Sequence, residues 1–238
     1  MIEKIKIENI LFLDIETVPV KYQYSELDAY EKYLWDTKMK WQVKGEETTE
    51  TLYEKSGVYA EFAKIICISV AFVFMQDGKR KIKVKSFAGH DEKKLLTEFA
   101  GLLVVKFNTQ EHMLCAHNGK EFDFPFICRR MLINAIKLPI ILNVHGRKPW
   151  ETPFLDTMEL WRFGDYKNFT SLELIAHLMG VPSPKDDITG ADVKHVYYQD
   201  KDLDRISNYC KKDTLTVAQL FIKYRNEPLI PQEDIIFV

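Results

Sequence analysis

An α/β fold built on a mixed sheet is predicted by three features of the sequence. Short apolar runs alternate with longer amphipathic segments, as strands alternate with helices. Asp77-Gly78 is a hairpin signal between two strand-like runs, so part of the sheet is antiparallel. Later strand-like runs each precede a helix-like segment, which is the pattern of βα crossovers covering a sheet. The 238 residues, 46% hydrophobic and 29% charged, suit one domain over residues 1–238 with a sizeable core.

Residues 9–16 form a buried strand: short, apolar, ended by acids and then Pro19. Residues 22–56 change character, rich in aromatics and charges, and read as a helical insertion. Leu27, Tyr30, Leu34 and Trp41 supply its expected apolar face. Residues 65–75 are a strong strand. Residues 81–87 alternate as a strand with one wet face does, so strands two and three pair antiparallel. Asp91 caps a helix over 92–106. A short strand follows at 113–116, and a helix at 121–136. Residues 138–156 are irregular, with a short strand at Phe154-Leu155. Ser171 starts a helix that Gly180 and Pro182 stop. The last long helix runs from about Asp202 to Tyr224, leaving a short tail at 226–238.

The formal net charge of -2 gives no overall basic footprint, although local patches matter more than totals for nucleic acid. The start, Met1 to Lys6, lacks the apolar core of a signal peptide, and no apolar run is long enough to span a bilayer. Cys67, Cys115, Cys128 and Cys210 form no paired zinc pattern. They read as buried, reduced thiols of a cytoplasmic protein.

Four acids and a tyrosine carry the chemistry. Alternation puts Asp14 and Glu16 on one strand face, roughly 6–7 Å apart. Tyr209 and Asp213 are four apart on a helix and therefore neighbours. Asp123 follows Asn118-Gly119 and Phe122 just after a buried strand. Each motif alone has a plain alternative: a polar strand end, a surface tyrosine, an acid stabilising a first helical turn. Together the carboxylates would repel one another unless cations sit between them. Phosphodiester hydrolysis by two divalent ions needs such a set, and Mg²⁺ prefers oxygen ligands.

With these residues in this order, the chain resembles the DEDD (DnaQ-like) superfamily of 3′–5′ exonucleases. It is most similar to stand-alone proteins related to the proofreading domain of family-B DNA polymerases. Asp14-Ile15-Glu16 matches the first motif, Asn118 through Phe122-Asp123 the second, and Tyr209-x-x-x-Asp213 the third in its tyrosine (DEDDy) version. Asn208 stands where the histidine version would have histidine. The resemblance runs from about residue 9 to 225 and implies a ribonuclease H-like mixed sheet, its first three strands antiparallel and the rest parallel, flanked by helices. It implies two divalent ions, Mg²⁺ or Mn²⁺, held by Asp14, Glu16, Asp123 and Asp213, with Tyr209 orienting the attacking water. Asp14 would bridge both ions. Asn118, Phe122 and the backbone around Thr17 and Val18 would approach the terminal nucleotide, and Asp156 would stand behind the ligands. The implied partners are 3′ ends of single-stranded DNA or RNA, DNA being favoured, in a repair or proofreading role that needs a partner. Alternatives are an exoribonuclease of the ribonuclease D type and a non-catalytic nucleic-acid-binding module.

Other segments carry weaker expectations. Lys81, Lys83 and Lys85 protect an edge strand or solvate a face, with phosphate tracking as the rival role. Arg129-Arg130, Arg147-Lys148 and Lys211-Lys212 are dispersed candidates for phosphate contact. Lys120 follows Asn118-Gly119 without phosphate-loop glycine spacing. Trp35 and Trp41 of the insertion are candidate stacking platforms, against the alternative of a helix buried on the domain. The tail Gln232 to Phe237 loosely resembles a sliding-clamp peptide, against the alternative of a terminal strand.

Overall fold

The computed structural model describes residues 2–165, 167, 169–182 and 188–238. Its centre is strand β1 (Ile10–Pro19), a nearly continuous apolar run. Leu11, Leu13 and Ile15 enter one core, while Ile10 and Phe12 enter another on the opposite face. A strand buried on both faces cannot alternate apolar with polar, which is why the run is continuous.

Strand β2 (Ala63–Gln76) pairs antiparallel with β1, and β3 (Lys79–Ala88) pairs antiparallel with β2. Asp77 and Gly78 join them with φ of 52° and 74°, the left-handed pair that matches strand twist in a tight hairpin. Strand β4 (Met113–Ala116) lies parallel to β1, β5 (Phe154–Asp156) parallel to β4, and β6 (Ile235–Phe237) parallel to β3. The order is β5-β4-β1-β2-β3-β6. This is the mixed, ribonuclease H-like sheet expected, with one strand added at its edge.

Helices α1 (Ala29–Met39) and α2 (Thr49–Leu52) lie in the insertion. Helices α3 (Glu92–Lys106) and α4 (Asp123–Ile133) cover one face of the sheet, where Phe99, Phe124 and Ile127 join the core of Leu11 and Leu13. Short helices α5 (Thr157–Arg162), α6 (Leu172–Met179) and α7 (Val193–His195) precede α8 (Leu203–Tyr224). Helix α8 covers the other face, and Phe221 packs on Phe12 with ring centroids 5.6 Å apart. Asp91, Ser171 and Asp202 accept backbone N–H bonds as N-caps, and Gly180 ends α6 at φ 64°.

Several expectations need correction. The insertion is helical, but Asp28 caps α1 through Tyr30 and Glu31, and that start sets the phase of the helix. Trp35 and Met39, four apart, therefore face inward with Leu27, while Tyr30, Leu34 and Trp41 are exposed. Trp35 is fully buried and donates from Nε1 to the Thr49 carbonyl at 2.6 Å, so it is no stacking platform. Strand β3 is not an edge, because β6 pairs with it. The tail segment considered for clamp binding is a short 3₁₀ turn followed by β6. Helix α4 is shorter than 121–136, because its entry loop stays irregular to Phe122 and Ala135 turns left-handed at φ 56°. Arg130 is buried: it donates to Glu92 at 2.6 and 2.8 Å and to the Ala60 carbonyl, tying α4 to α3, and is unavailable to phosphate.

Candidate active site

Asp14 and Glu16 occupy the α8 face of β1, in phase with Phe12. The β1–β2 register slips at this point: Glu16 opposes Cys67, but Thr17 opposes Ile65, so Ile66 is an extra residue in β2. Such a bulge re-aims side chains and is common beside functional sites. Here Ile65 enters the α3-side core, while Ile66 joins Val18, Val196 and Ile206 on the α8 side.

Strand β4 pairs only with Ile10 to Phe12, leaving the β1 edge beyond it open. Asp123, the buried first residue of α4, lies beside that gap with its carboxylate close to the Ile15 backbone. The loop that delivers Asp123 is built for one path. Asn118 has φ 60°. A Cβ on Gly119 would lie 2.4 Å from the Ala116 Cβ, so no larger residue fits. Asp156 accepts backbone N–H bonds from Asn118 at 2.9 Å and Lys120 at 3.1 Å, and from Met158 and Glu159 as the cap of α5. Asp156 therefore holds the loop that carries Asp123.

Tyr209 and Asp213 project from α8 one turn apart, and the Asp213 carboxylate lies close enough to the phenol to hold its proton. Asp213 lies within electrostatic range of Asp14 and Glu16. The four acids and the tyrosine, drawn from three distant segments, thus converge at one end of β1.

The flanking residues divide. Phe122 packs on Phe126, ring centroids 5.4 Å apart, at the margin of the α4-side core. The Asn118 Oδ1 is buried with no hydrogen-bond partner among the described residues. Thr17 donates to the Gly57 carbonyl at 2.7 Å, and Val18 is fully buried, so both side chains are committed to structure.

Residues 58–227 match a family model described as a predicted 3'-5' exonuclease related to the exonuclease domain of PolB. The chain belongs to this family. The matched segment of the PolB-related exonuclease carries Asn118, Asp123, Tyr209 and Asp213; Asp14 and Glu16 precede it, and the fold brings them to the same place. None of the curated proteins matches the chain. Among solved structures it is similar to the family B DNA polymerase from the hyperthermophilic archaeon Pyrobaculum calidifontis, at 14% identity and a TM-score of 0.47, over 91% of this chain and 27% of that one.

Electrostatics set the state of this candidate site. Burial raises Asp14 well above the ordinary carboxylate range, and the charges of Asp123 and Asp213 raise it further. Burial and then the Asp14 charge raise Glu16 likewise. Burial raises Asp123 to about 7. Among the described residues no salt bridge involves Asp14, Glu16 or Asp123. Desolvated, like-charged oxygen donors without a cationic side chain fit hard divalent cations, which remove both penalties at once. Tyr209 is raised far above its usual value by burial and by the charges of Asp213 and Glu16. The phenol stays protonated and acts as a donor.

Two thiols complete the cluster. Cys210 Sγ lies 3.4 Å from Asp14 Oδ2, and one ligand atom each of Asp14, Glu16 and Cys210 lies within 4.8 Å of the others. Cys67, opposite Glu16, hydrogen-bonds Cys210. In the sequence both read only as buried thiols. Helical spacing was an available signal for Cys210, which stands three residues before Asp213. All four cysteines are free, and no helix among the described residues is long and apolar enough to cross a membrane.

Proposed function

We propose that the protein is a metal-dependent 3′–5′ exonuclease that releases 5′-mononucleotides from single-stranded nucleic acid, DNA in preference to RNA. The observation that carries this reading is the convergence of Asp14, Glu16, Asp123 and Asp213 beside a tyrosine that burial and the charges of Asp213 and Glu16 keep protonated. These carboxylates would hold two divalent ions, Mg²⁺ or Mn²⁺. When bound, such ions activate water and neutralise the charge that develops on the phosphate and the leaving 3′ oxygen.

The chain's own groups do the rest. Asp123 is placed by the Asp156-braced loop and by its buried position at the start of α4. Tyr209 orients the attacking water by hydrogen bonding and cannot serve as a base at neutral pH. Asn118 Oδ1 offers a buried acceptor to a donor of the terminal nucleotide. The exposed Trp41 remains a candidate base platform.

The test is a 5′-labelled strand of DNA or RNA incubated with Mg²⁺ or Mn²⁺. The expected product is a ladder shortening from the 3′ end, absent for Asp14→Ala. Intact DNA and RNA under both metals would sink the proposal.

A further inference from the structure

Helix α4 carries one face that the core does not use. Pro125, Arg129 and Leu132 lie along it and line a groove of about 390 Å³, closed on its far side by Leu138 and Arg147. The titratable groups lining this groove other than thiols are all basic: Lys120, Arg129, His145 and Arg147. No carboxylate lines it, in a chain whose net charge is -2. Lys120 is paired with Glu159, but Arg129 and Arg147 are exposed and have no salt bridge among the described residues.

The groove begins at the active-site loop. Lys120 is one of its walls, and the backbone of Lys120 is held by the same Asp156 that positions the approach to Asp123. Arg129 follows about 9 Å further along α4. A larger recess of about 450 Å³, lined by Asn108, His112 and Trp150, shares Arg147 and lies toward the opposite end of β4. Lys148 sits 5.4 Å from the exposed Trp150 ring beyond Arg147, but Glu111 and Glu151 also line this recess, so the carboxylate-free stretch ends at Arg147.

We propose that this groove, from Lys120 to Arg147, holds the single strand that runs 5′ from the scissile end. The inference rests on the exonuclease reading. A polyanion with apolar bases needs cations along an apolar floor, and the groove supplies both, starting at Lys120 of the loop that delivers Asp123 and running along the α4 side of the sheet. Arg129 is exposed on this face, within electrostatic range of Glu61, while its neighbour Arg130 is spent on Glu92.

The test compares the wild type with Arg129→Gln/Arg147→Gln on a long oligothymidylate and on a thymidine dinucleotide, which is too short to enter the groove. The double variant is expected to raise KM for the long strand about tenfold and to lower the salt slope of strand binding by about one per arginine. Its kcat/KM on the dinucleotide should match the wild type, and its melting temperature should be unchanged. Equal effects on both substrates, or none on the long strand, would overturn the proposal. So would an unchanged strand KM alongside lost binding of poly-glutamate, which would assign the groove to an acidic protein. Wild-type protein that cleaves neither substrate marks failure of the exonuclease reading instead. In that case anisotropy of the labelled strand still decides the groove: equal binding by wild type and variant overturns it.

Discussion

Cys210 Sγ lies 3.4 Å from the Asp14 carbonyl oxygen and 3.4 Å from its Oδ2, joining α8 to β1 where the acids begin. Asp14 is one of the acids proposed to hold metal, and this thiol is a side-chain donor to it. Cys210→Ala should lower kcat about tenfold through loss of that alignment, roughly the worth of one hydrogen bond. Cys210→Ser keeps a donor and should recover most of the loss. Steady-state kinetics at saturating Mn²⁺ would check it; equal activity of the alanine and serine variants would show that the thiol only fills space.

Metal-free stability should fall as pH rises. Asp14 and Glu16 are held well above the ordinary carboxylate range and Asp123 at about 7. In each case the folded value exceeds the unfolded one, so the native state binds more protons between the two. The contribution is complete below the unfolded value, about pH 4, and is lost as pH rises through the folded one. With chelator present, the melting temperature should decline steadily as pH rises from about 5 towards 7, with the Asp123 part of the decline flattening above about 7. Added Mg²⁺ or Mn²⁺ should remove that decline, because the ions bind the ionised carboxylates. A flat or rising metal-free profile over this range would contradict the account of the cluster.

The sheet and the acids were legible because their signals are local. A buried central strand is a continuous apolar run, a hairpin turn is a dipeptide, and caps are single residues. What remained hidden depends on contacts distant in sequence or on helical phase. Strand β6 is three residues long and exists only because β3 offers it an edge. Trp35 and Trp41 looked alike in sequence, but the cap at Asp28 sends one inward and strands the other beyond the helix. Arg129 and Arg130 are adjacent, yet one helical step separates solvent from the Glu92 pair. The lysines at 81, 83 and 85 alternate with Ile82 and Val84 of the α8-side core, so they face away from Asp14 and Glu16. They solvate a face, and Lys85 rests 4.5 Å from the Phe87 ring centroid.

Gly119→Ala should cost about 1–3 kcal/mol, the usual range for forcing an extra methyl into packed surroundings. Its Cβ would meet the Ala116 Cβ at 2.4 Å and the Phe124 ring at 3.2 Å, and neither neighbour can withdraw from β4 or the core. The loop must then shift, carrying Asp123 off the Ile15 backbone. Denaturant melts should show the stability loss, and activity should fall further than stability does at temperatures where the variant is still folded. A variant with wild-type activity would mean that the loop path is not what places Asp123.

Tyr209→Phe removes one hydroxyl and leaves the ring in its packing against Val18 and Ile206. The loss should therefore appear in kcat more than in stability. A positioned donor is worth less than a full acid–base partner, so a fall of about tenfold to a hundredfold is expected. The pH dependence discriminates the roles. Burial and the charges of Asp213 and Glu16 keep the phenol protonated throughout the neutral range, so its ionisation contributes no limb to the rate profile. Wild type and Tyr209→Phe should consequently show profiles of the same shape, displaced in height. Disappearance of a basic limb in the variant would instead make Tyr209 a titrating base, and the donor role would have to be abandoned.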